Sequence, residues 1–282
     1  MDAVVIASSL DSGLTRNDST GVVKMKIDKV IKGDNIVKVG QIVDAIYYGE
    51  VEVGRRFLLS GVDPPNLQWS CLPLNKAKED YIIGFSKLED DDASRLRYYY
   101  RYLADEDTLI SRDAYDEFAA APYDAVKKIA SEIDHDQLVQ WVKDPETDGQ
   151  RRRLYFTLLG VCGSKDDLPM IETLLRRPSK GLVGLDAMIA CYLTLAGEEG
   201  LPLIDELFIS APKIDYSKTY AAIMALRFHG NEGDVIPLSA LVESFHKVLD
   251  NDELADLVIP DLARWKDWSQ IDRLTRLFED AN

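Results

Sequence analysis

The chain has 282 residues, with 33 Lys and Arg against 49 Asp and Glu and a formal net charge of −16. This length suits one large domain or two ordinary ones, and a hydrophobic content of 46% is typical of a protein that buries a core. A surface this acidic repels phosphate backbones and anionic lipids, so we expect neither a nucleic-acid partner nor a membrane partner. The sequence also lacks the apolar run of about 18 residues that predicts a transmembrane helix.

The sequence predicts no metal site, no cofactor and no catalytic residue. Its three cysteines, Cys71, Cys162 and Cys191, are far apart and form no CxxC pair or Cys/His cluster. No glycine-rich phosphate loop and no HExxH motif occurs, and the three histidines are scattered over separate predicted helices. We therefore expect a protein that is not an enzyme.

Residues 1 to about 88 are predicted to be β-structure. The second of the predicted strands alternates, with Val23, Met25 and Ile27 on one face and lysines on the other, and a slip near Lys29 indicates a bulge. Pro73 marks an edge strand because proline cannot donate a ladder hydrogen bond. The predicted strands are residues 3–10, 21–31, 41–48, 55–61 and 68–74, and the first is closed by a turn at Asp11-Ser12-Gly13.

These strands, separated by turns that contain glycine, predict a small closed or nearly closed barrel. The stretch from Val22 to Lys32-Gly33-Asp34, then Val39-Gly40-Gln41 and Phe57-Leu58-Leu59-Ser60-Gly61, resembles the OB-like barrel of the tissue-inhibitor-of-metalloproteinases and netrin-module superfamily. The resemblance implies a fold. Inhibitors of that superfamily reach a catalytic metal through an N-terminal cysteine, whereas this chain begins Met1-Asp2-Ala3, so protease inhibition is not implied.

The junction between the two parts is predicted to be irregular and acidic. Residues 75–83 are predicted to hold a short helix or an irregular connection, which ends in a strand at Tyr81–Phe85. The four acids at 89–92 predict a solvated linker beside a helix N-terminus, where the helix dipole favours negative charge. Ser94 is the predicted N-cap of a helix over residues 95–103.

That helix holds four tyrosines and three arginines within eight residues. Because Tyr and Arg are favoured anchors at protein interfaces, the sequence predicts an interaction surface there. The alternative is that the helix buries a stripe spaced i, i+3, i+4 and i+7 against its neighbours. The predicted interaction surface consists of Arg95, Tyr98, Arg101 and Tyr102, and the alternative buried stripe consists of Leu96, Tyr99, Tyr100 and Leu103.

The remaining sequence is predicted to be helical and repeats itself. The pattern helix, glycine, two acids, Leu-Pro, helix occurs at residues 158–175 and again about 33 residues later at 191–208. A third copy follows, with Leu226–Gly230 and then Ile236-Pro237-Leu238 in the matching places. A period of this size predicts stacked helical hairpins, and the pattern resembles HEAT or armadillo-like repeats. A last, less regular hairpin is predicted at 253–264 and 269–279.

The sequence therefore predicts an α+β protein of two domains: an antiparallel, OB-like β-barrel over residues 1–88 and an all-α solenoid of helical hairpins over residues 93–282. Because solenoids offer extended binding surfaces, the predicted function is a non-catalytic adaptor or scaffold that binds a protein or peptide. Two alternatives stay open: an extracytoplasmic module that binds a ligand or polysaccharide through its barrel, and an enzyme with a cleft at the domain junction. The chain enters a strand directly after Met1-Asp2, which favours an exported protein whose signal has been removed, but compartment and oligomeric state are left open.

Overall fold

A computed structural model describes residues 1–11, 21–176, 183–210, 215–251 and 253–280. Backbone contacts divide the chain into two compact units, Met1–Asp90 and Asp91–Asn282. The first unit combines an antiparallel sheet with one helix, and the described part of the second unit is helical, so the protein is of the α+β class. Most of the turn predicted at Asp11-Ser12-Gly13 lies outside the described residues.

The sheet of the first unit has the order β3-β2-β1-β4-β5, and all neighbouring strands are antiparallel. The sheet curls into a half-barrel, so the edge strands β3 and β5 approach each other. All five predicted strands are confirmed to within two residues at each end, and β5 is an edge strand as Pro73 predicts. The strands are β1 (Ala3–Ser9), β2 (Val22–Lys32), β3 (Ile42–Ile46), β4 (Arg56–Val62) and β5 (Gln68–Pro73).

Alternation along β2 sets which side of the sheet is buried. Val23, Met25 and Ile27 are fully buried, and the lysines between them are exposed, as predicted. The pairing of β1 with β2 shifts register on both sides of the residue pair Ile6 and Lys29, which confirms the predicted irregularity near Lys29. The inward residues of the curled sheet form one apolar core together with Val37 and Val51, which lie in the connections between strands. The buried core members from the strands are Ala3, Val5, Ala7, Val23, Met25, Ile27, Ala45, Phe57 and Leu59.

The strand predicted at Tyr81–Phe85 is wrong, because these residues belong to helix α1 (Lys76–Phe85). The side chain of Asn75 accepts a hydrogen bond from the backbone N–H of Lys78 (2.8 Å) and caps the helix, a contact that the strand prediction ignored. A short apolar run such as this one satisfies both the helical and the strand period, so periodicity alone could not decide.

The second unit contains twelve helices in its described residues. The first of them begins earlier than predicted: Asp91, not Ser94, is the N-cap, and its carboxylate accepts a hydrogen bond from the backbone N–H of Ser94 (3.0 Å). The helices are α2 (Asp92–Tyr100), α3 (Thr108–Ala120), α4 (Tyr123–Lys128), α5 (His135–Lys143), α6 (Gly149–Cys162), α7 (Leu168–Arg176), α8 (Leu185–Ala196), α9 (Leu201–Ile204), α10 (Tyr216–Asn231), α11 (Leu238–Val248), α12 (Ile259–Arg264) and α13 (Ile271–Asp280).

The repeated pattern in the sequence corresponds to repeated packing. Helix α8 packs against α6 on one side and α10 on the other, while α7 packs on α8 and α11 packs on α10. Gly160 of α6 lies against Cys191 of α8, and a Cβ atom on this glycine would be 3.5 Å from the Cα of Cys191. An ion pair also joins Arg176 at the end of α7 to Glu206, which follows α9 (3.5 Å).

Two predicted helices are less regular than expected. The second helix of the pattern at 191–208 is α-helical only in α9 and continues as a π-helical turn, Asp205–Ile209. The predicted helix 253–264 consists of a 3-10 turn, Ala255–Leu257, followed by α12, which has a proline in its first turn.

One helical stretch among the described residues, Leu185–Ile209, is long and apolar enough to cross a membrane when judged by length and composition alone. Half of its most apolar window is buried inside the protein. A core helix has the same composition, so this stretch is weak evidence for a membrane span.

A candidate binding groove on the helical unit

Two adjoining cavities of about 240 and 300 Å³ form one groove on the helical unit. The two cavities share Tyr123, Gly160, Thr194 and Phe228 in their linings, so they are continuous. The residues come from α4, α6, α8 and α10, and three of these helices are the successive first helices of the predicted hairpins. The groove therefore lies where helices that are far apart in the sequence meet.

One half of the groove is lined mainly by apolar side chains, and we call this half the apolar pocket. An ion pair between Arg153 of α6 and Asp186 of α8 (2.5 Å) lies in its lining. Small side chains on α8 leave the space open, since Ala187 and Ala190 project little beyond the backbone. The other apolar lining residues are Phe156, Cys191, Met224, Ala225 and Phe228.

Tyr123 of α4 contributes to both halves of the groove. Its ring packs edge-to-face on Phe228 of α10, with ring centroids 5.0 Å apart, and the ammonium group of Lys127 lies 5.4 Å from its centroid. Burial raises the pKa of the Tyr123 hydroxyl above its usual value, so this hydroxyl stays protonated near neutral pH. The hydroxyl has a hydrogen bond with the side chain of Thr194, which also lines both halves of the groove.

The other half of the groove contains a buried polar atom without a partner. His229 is 2% exposed, and its Nε2 lies 3.0 Å from the backbone oxygen of Ala190. A carbonyl oxygen only accepts hydrogen bonds, so Nε2 carries the proton, and burial lowers the pKa of the ring and keeps it neutral. Nδ1 is then an acceptor, and it has no hydrogen-bond partner among the described residues. It lies beside Gly233, which also lines this half.

The ionisable groups of the groove are suited to binding more than to catalysis. Burial raises the pKa of the Cys191 thiol well above its usual value, so the thiol is protonated and is a poor nucleophile. Burial likewise raises the pKa of Cys71 and that of Cys162 to about 11. Within the described part of the chain, no group of three His, Cys, Asp or Glu side chains is placed to hold a metal ion.

Exposed carboxylates lie along the turns that follow α6, α8 and α10. These turns are neighbours: Lys165 in the first reaches Glu199 in the second (3.6 Å), and a Cβ atom on Gly197 would be 3.7 Å from the backbone oxygen of Val235 in the third. Asp234 in the third turn also lines the groove. We call this row the acidic edge, and it consists of Asp166, Glu198, Glu199, Glu232 and Asp234.

The predicted interaction surface on α2 lies outside the linings of both cavities. Arg95 pairs with Glu117 (2.6 Å), Arg101 is exposed, and the half-buried rings of Tyr98 and Tyr102 are 5.1 Å apart. The alternative reading is confirmed for three of its four residues, since Leu96, Tyr99 and Leu103 are buried and only Tyr100 is partly exposed. Whether the other face of α2 binds a partner stays a prediction.

The first unit has a cleft of its own beside its edge strands. This cleft, of about 600 Å³, is lined by residues of β3 and β5, including Asp44, Gln68 and Trp69. The buried atoms without a hydrogen-bond partner in the described residues are Arg152 Nε, Asp205 Oδ1, His229 Nδ1 and Trp265 Nε1, and none of them lines this cleft. The groove on the helical unit is therefore the better candidate site.

Sequence reasoning missed the groove. Its residues come from helices that are far apart in sequence, and no local motif marks them. The available signal was the small residues Gly160, Ala187 and Ala190 at places where the repeat pattern predicts helices that pack together. Comparison of the chain with known protein families, with curated proteins and with solved structures finds no match. Its function is therefore inferred from the geometry of the groove.

Proposed function

We propose that the protein is a non-catalytic binding protein whose helical unit holds a segment of another protein. In this proposal the hairpins α6–α7, α8–α9 and α10–α11 stack as HEAT-like repeats, and the sheet of the first unit is an OB-like barrel. An apolar side chain of the bound segment enters the apolar pocket. The single observation that carries the proposal is this pocket, which lies between α4, α6, α8 and α10 and is lined mainly by apolar side chains.

The volume and chemistry of the groove support a peptide segment as the occupant. A cavity of about 240 Å³ accommodates one large aliphatic or aromatic side chain, and burying such a side chain contributes about 1.5–3 kcal/mol. The adjoining 300 Å³ offers the Tyr123 hydroxyl and His229 Nδ1 as polar groups that fix the orientation of what is bound.

The test is to select random phage-displayed peptides on the intact chain and to measure the affinity of the selected peptides by fluorescence anisotropy. Ala190→Leu fills the apolar pocket, and leucine is a good helix former, so the helix tolerates the change. Ala119→Leu makes the same change at an exposed position of α3 and is the matched control. We expect Ala190→Leu to weaken binding at least tenfold, a loss of about 1.4 kcal/mol, while Ala119→Leu has no effect.

Two results would contradict the proposal. One is that no peptide is enriched on the intact chain. The other is that enriched peptides bind the Ala190→Leu variant as tightly as the original protein, because their site would then lie outside the apolar pocket. Circular dichroism of both variants checks that the helices are retained.

A further inference from the structure

The acidic charge of this protein is concentrated in the helical unit. Residues 1–90 contain 11 Lys and Arg against 13 Asp and Glu, whereas residues 91–282 contain 22 against 36. The helical unit therefore carries most of the excess negative charge, and a cationic partner is attracted to it over long distances.

Part of this charge lies beside the groove. Of the five carboxylates of the acidic edge, only Glu199 forms an ion pair in the described part of the chain, with Lys165 at 3.6 Å. Lys127, which lines the same half of the groove, pairs with Asp124 (2.6 Å), and its charge also interacts with that of Asp234. Asp234, which lines the groove, has no ion-pair partner among the described residues. The edge thus holds negative charge that Lys165 and Lys127 neutralise only in part.

A second, independent observation also points to a donor on the ligand. His229 lines the same half of the groove as Asp234 and is almost completely buried, and its Nδ1 has no hydrogen-bond partner among the described residues. A buried acceptor without a partner is costly, and a ligand that supplies an N–H group removes that cost. Lysine and arginine side chains carry only donors and positive charge, so they satisfy both the carboxylates and this nitrogen.

We propose that the segment bound in the groove is a basic peptide with an apolar anchor. Its anchor side chain lies in the apolar pocket, and a lysine or arginine close to the anchor lies at Asp234 and the acidic edge. This inference rests on the proposed function and adds the chemical class of the partner. An acidic peptide is disfavoured at this site because its carboxylates would face those of the acidic edge.

The experiment uses the peptides selected on the intact chain. For the tightest peptide, each Lys or Arg is changed to Gln, and the affinities are measured at low and at high NaCl. The protein is tested as Asp234→Lys and as Glu253→Lys, which makes the same charge change at an exposed acid outside the groove lining. We expect the selected peptides to be enriched in Lys or Arg near an apolar residue. Their affinity should fall about tenfold for the Asp234→Lys variant and change little for Glu253→Lys, and binding to the original protein should weaken at high salt.

The outcomes separate the two proposals. Peptides that depend on the apolar pocket, but that lack Lys and Arg and bind Asp234→Lys unchanged, would overturn the basic-partner inference and leave the proposed function intact. Equal losses on Asp234→Lys and Glu253→Lys would also overturn it, because the effect would then be one of net charge. Absence of any pocket-dependent peptide would overturn the proposed function and this inference together.

Discussion

Single residues decide how closely the elements of the helical unit approach. Gly230 of α10 lies so near the indole of Trp265 that a Cβ atom on it would be 2.1 Å from Cζ2 of the ring. The indole cannot easily move away, since it is stacked on Phe245 with ring centroids 4.9 Å apart. Gly160 of α6 is different, because the nearest atom to its added Cβ is at 3.5 Å, an ordinary van der Waals distance. A side chain at position 230 would therefore collide with the indole, whereas position 160 has room for a Cβ atom.

The first prediction compares alanine at these two glycines. We expect Gly230→Ala to destabilise the protein by about 1–2 kcal/mol, because overpacking costs about 1–3 kcal/mol and the gain in helix propensity offsets only part of it. Gly160→Ala is the matched control, and it should be neutral or stabilising by up to about 1 kcal/mol. Urea unfolding followed by circular dichroism measures both. Greater destabilisation by Gly160→Ala would contradict the packing described here.

The second residue-scale prediction concerns His135 and Asp167. Nε2 of His135 in α5 is 2.9 Å from a carboxylate oxygen of Asp167, a buried acid that also accepts a hydrogen bond from the backbone N–H of Ser164. On its other side, Nδ1 is 3.2 Å from Asp136. These acids raise the pKa of His135, and the hydrogen bond to Asp167 is the largest cause. The folded protein therefore binds the proton more tightly than the unfolded chain does.

The sign of the pH dependence follows from this raised pKa. The stabilisation is fully present below the unfolded pKa of about 6.5 and is lost as the pH rises through the folded pKa. Because the His135 side chain is 40% exposed, we expect at most about 1 kcal/mol. Unfolding free energies of the original protein and of His135→Gln should thus differ more at about pH 5.5 than at about pH 8.5. Asp136→Asn, at a 94% exposed carboxylate, is the control with little expected effect, and a difference independent of pH would refute the assignment.

At the scale of elements, the sequence predicted best where a pattern is long and one period dominates. Strand β2 is an example, because its alternation of buried apolar residues and exposed lysines extends over several residues. Helix α7 is the second helix of the pattern at 158–175, and it begins at Leu168, where two acids and the Leu-Pro pair mark the start. The end of the first unit was predicted less well, because the short apolar run in α1 fits the periods of both a helix and a strand. In the structure the run is helical, and the backbone N–H of Lys78 donates the capping hydrogen bond to the side chain of Asn75.

The groove was beyond sequence reasoning for a physical reason. Periodicity indicates which face of a helix is buried, but a cavity depends on the side chains that three different helices place opposite one another. The π-helical turn after α9 is a further example, because nothing in the sequence marks a change to i→i+5 hydrogen bonds there. By contrast, the repeat spacing of about 33 residues predicts that α6, α8 and α10 pack side by side in chain order. Helix α8 does contact both α6 and α10.

At the scale of the whole molecule, each compact unit has what independent folding requires. The first unit encloses an apolar core between its curled strands. The second buries the apolar faces of its helices, with Phe156, Leu193 and Phe245 among its fully buried side chains. The division between the units falls between Asp90 and Asp91, in the acidic segment that was predicted to be a linker. A cut just before this segment leaves the N-cap Asp91 on α2.

The last prediction is that residues 89–282 fold without residues 1–88. Helix α2 keeps its N-cap in this fragment, and the groove is lined only by residues between Tyr123 and Val235. We expect the fragment to show a cooperative thermal transition by circular dichroism. We also expect peptides selected on the intact chain to bind the fragment within about twofold of their affinity for the intact chain, a difference of about 0.4 kcal/mol. Fragment 1–88 is the control and should bind none of them. An unfolded fragment 89–282 would show that its core is incomplete, whereas a folded fragment without binding would show that the first unit takes part in the site.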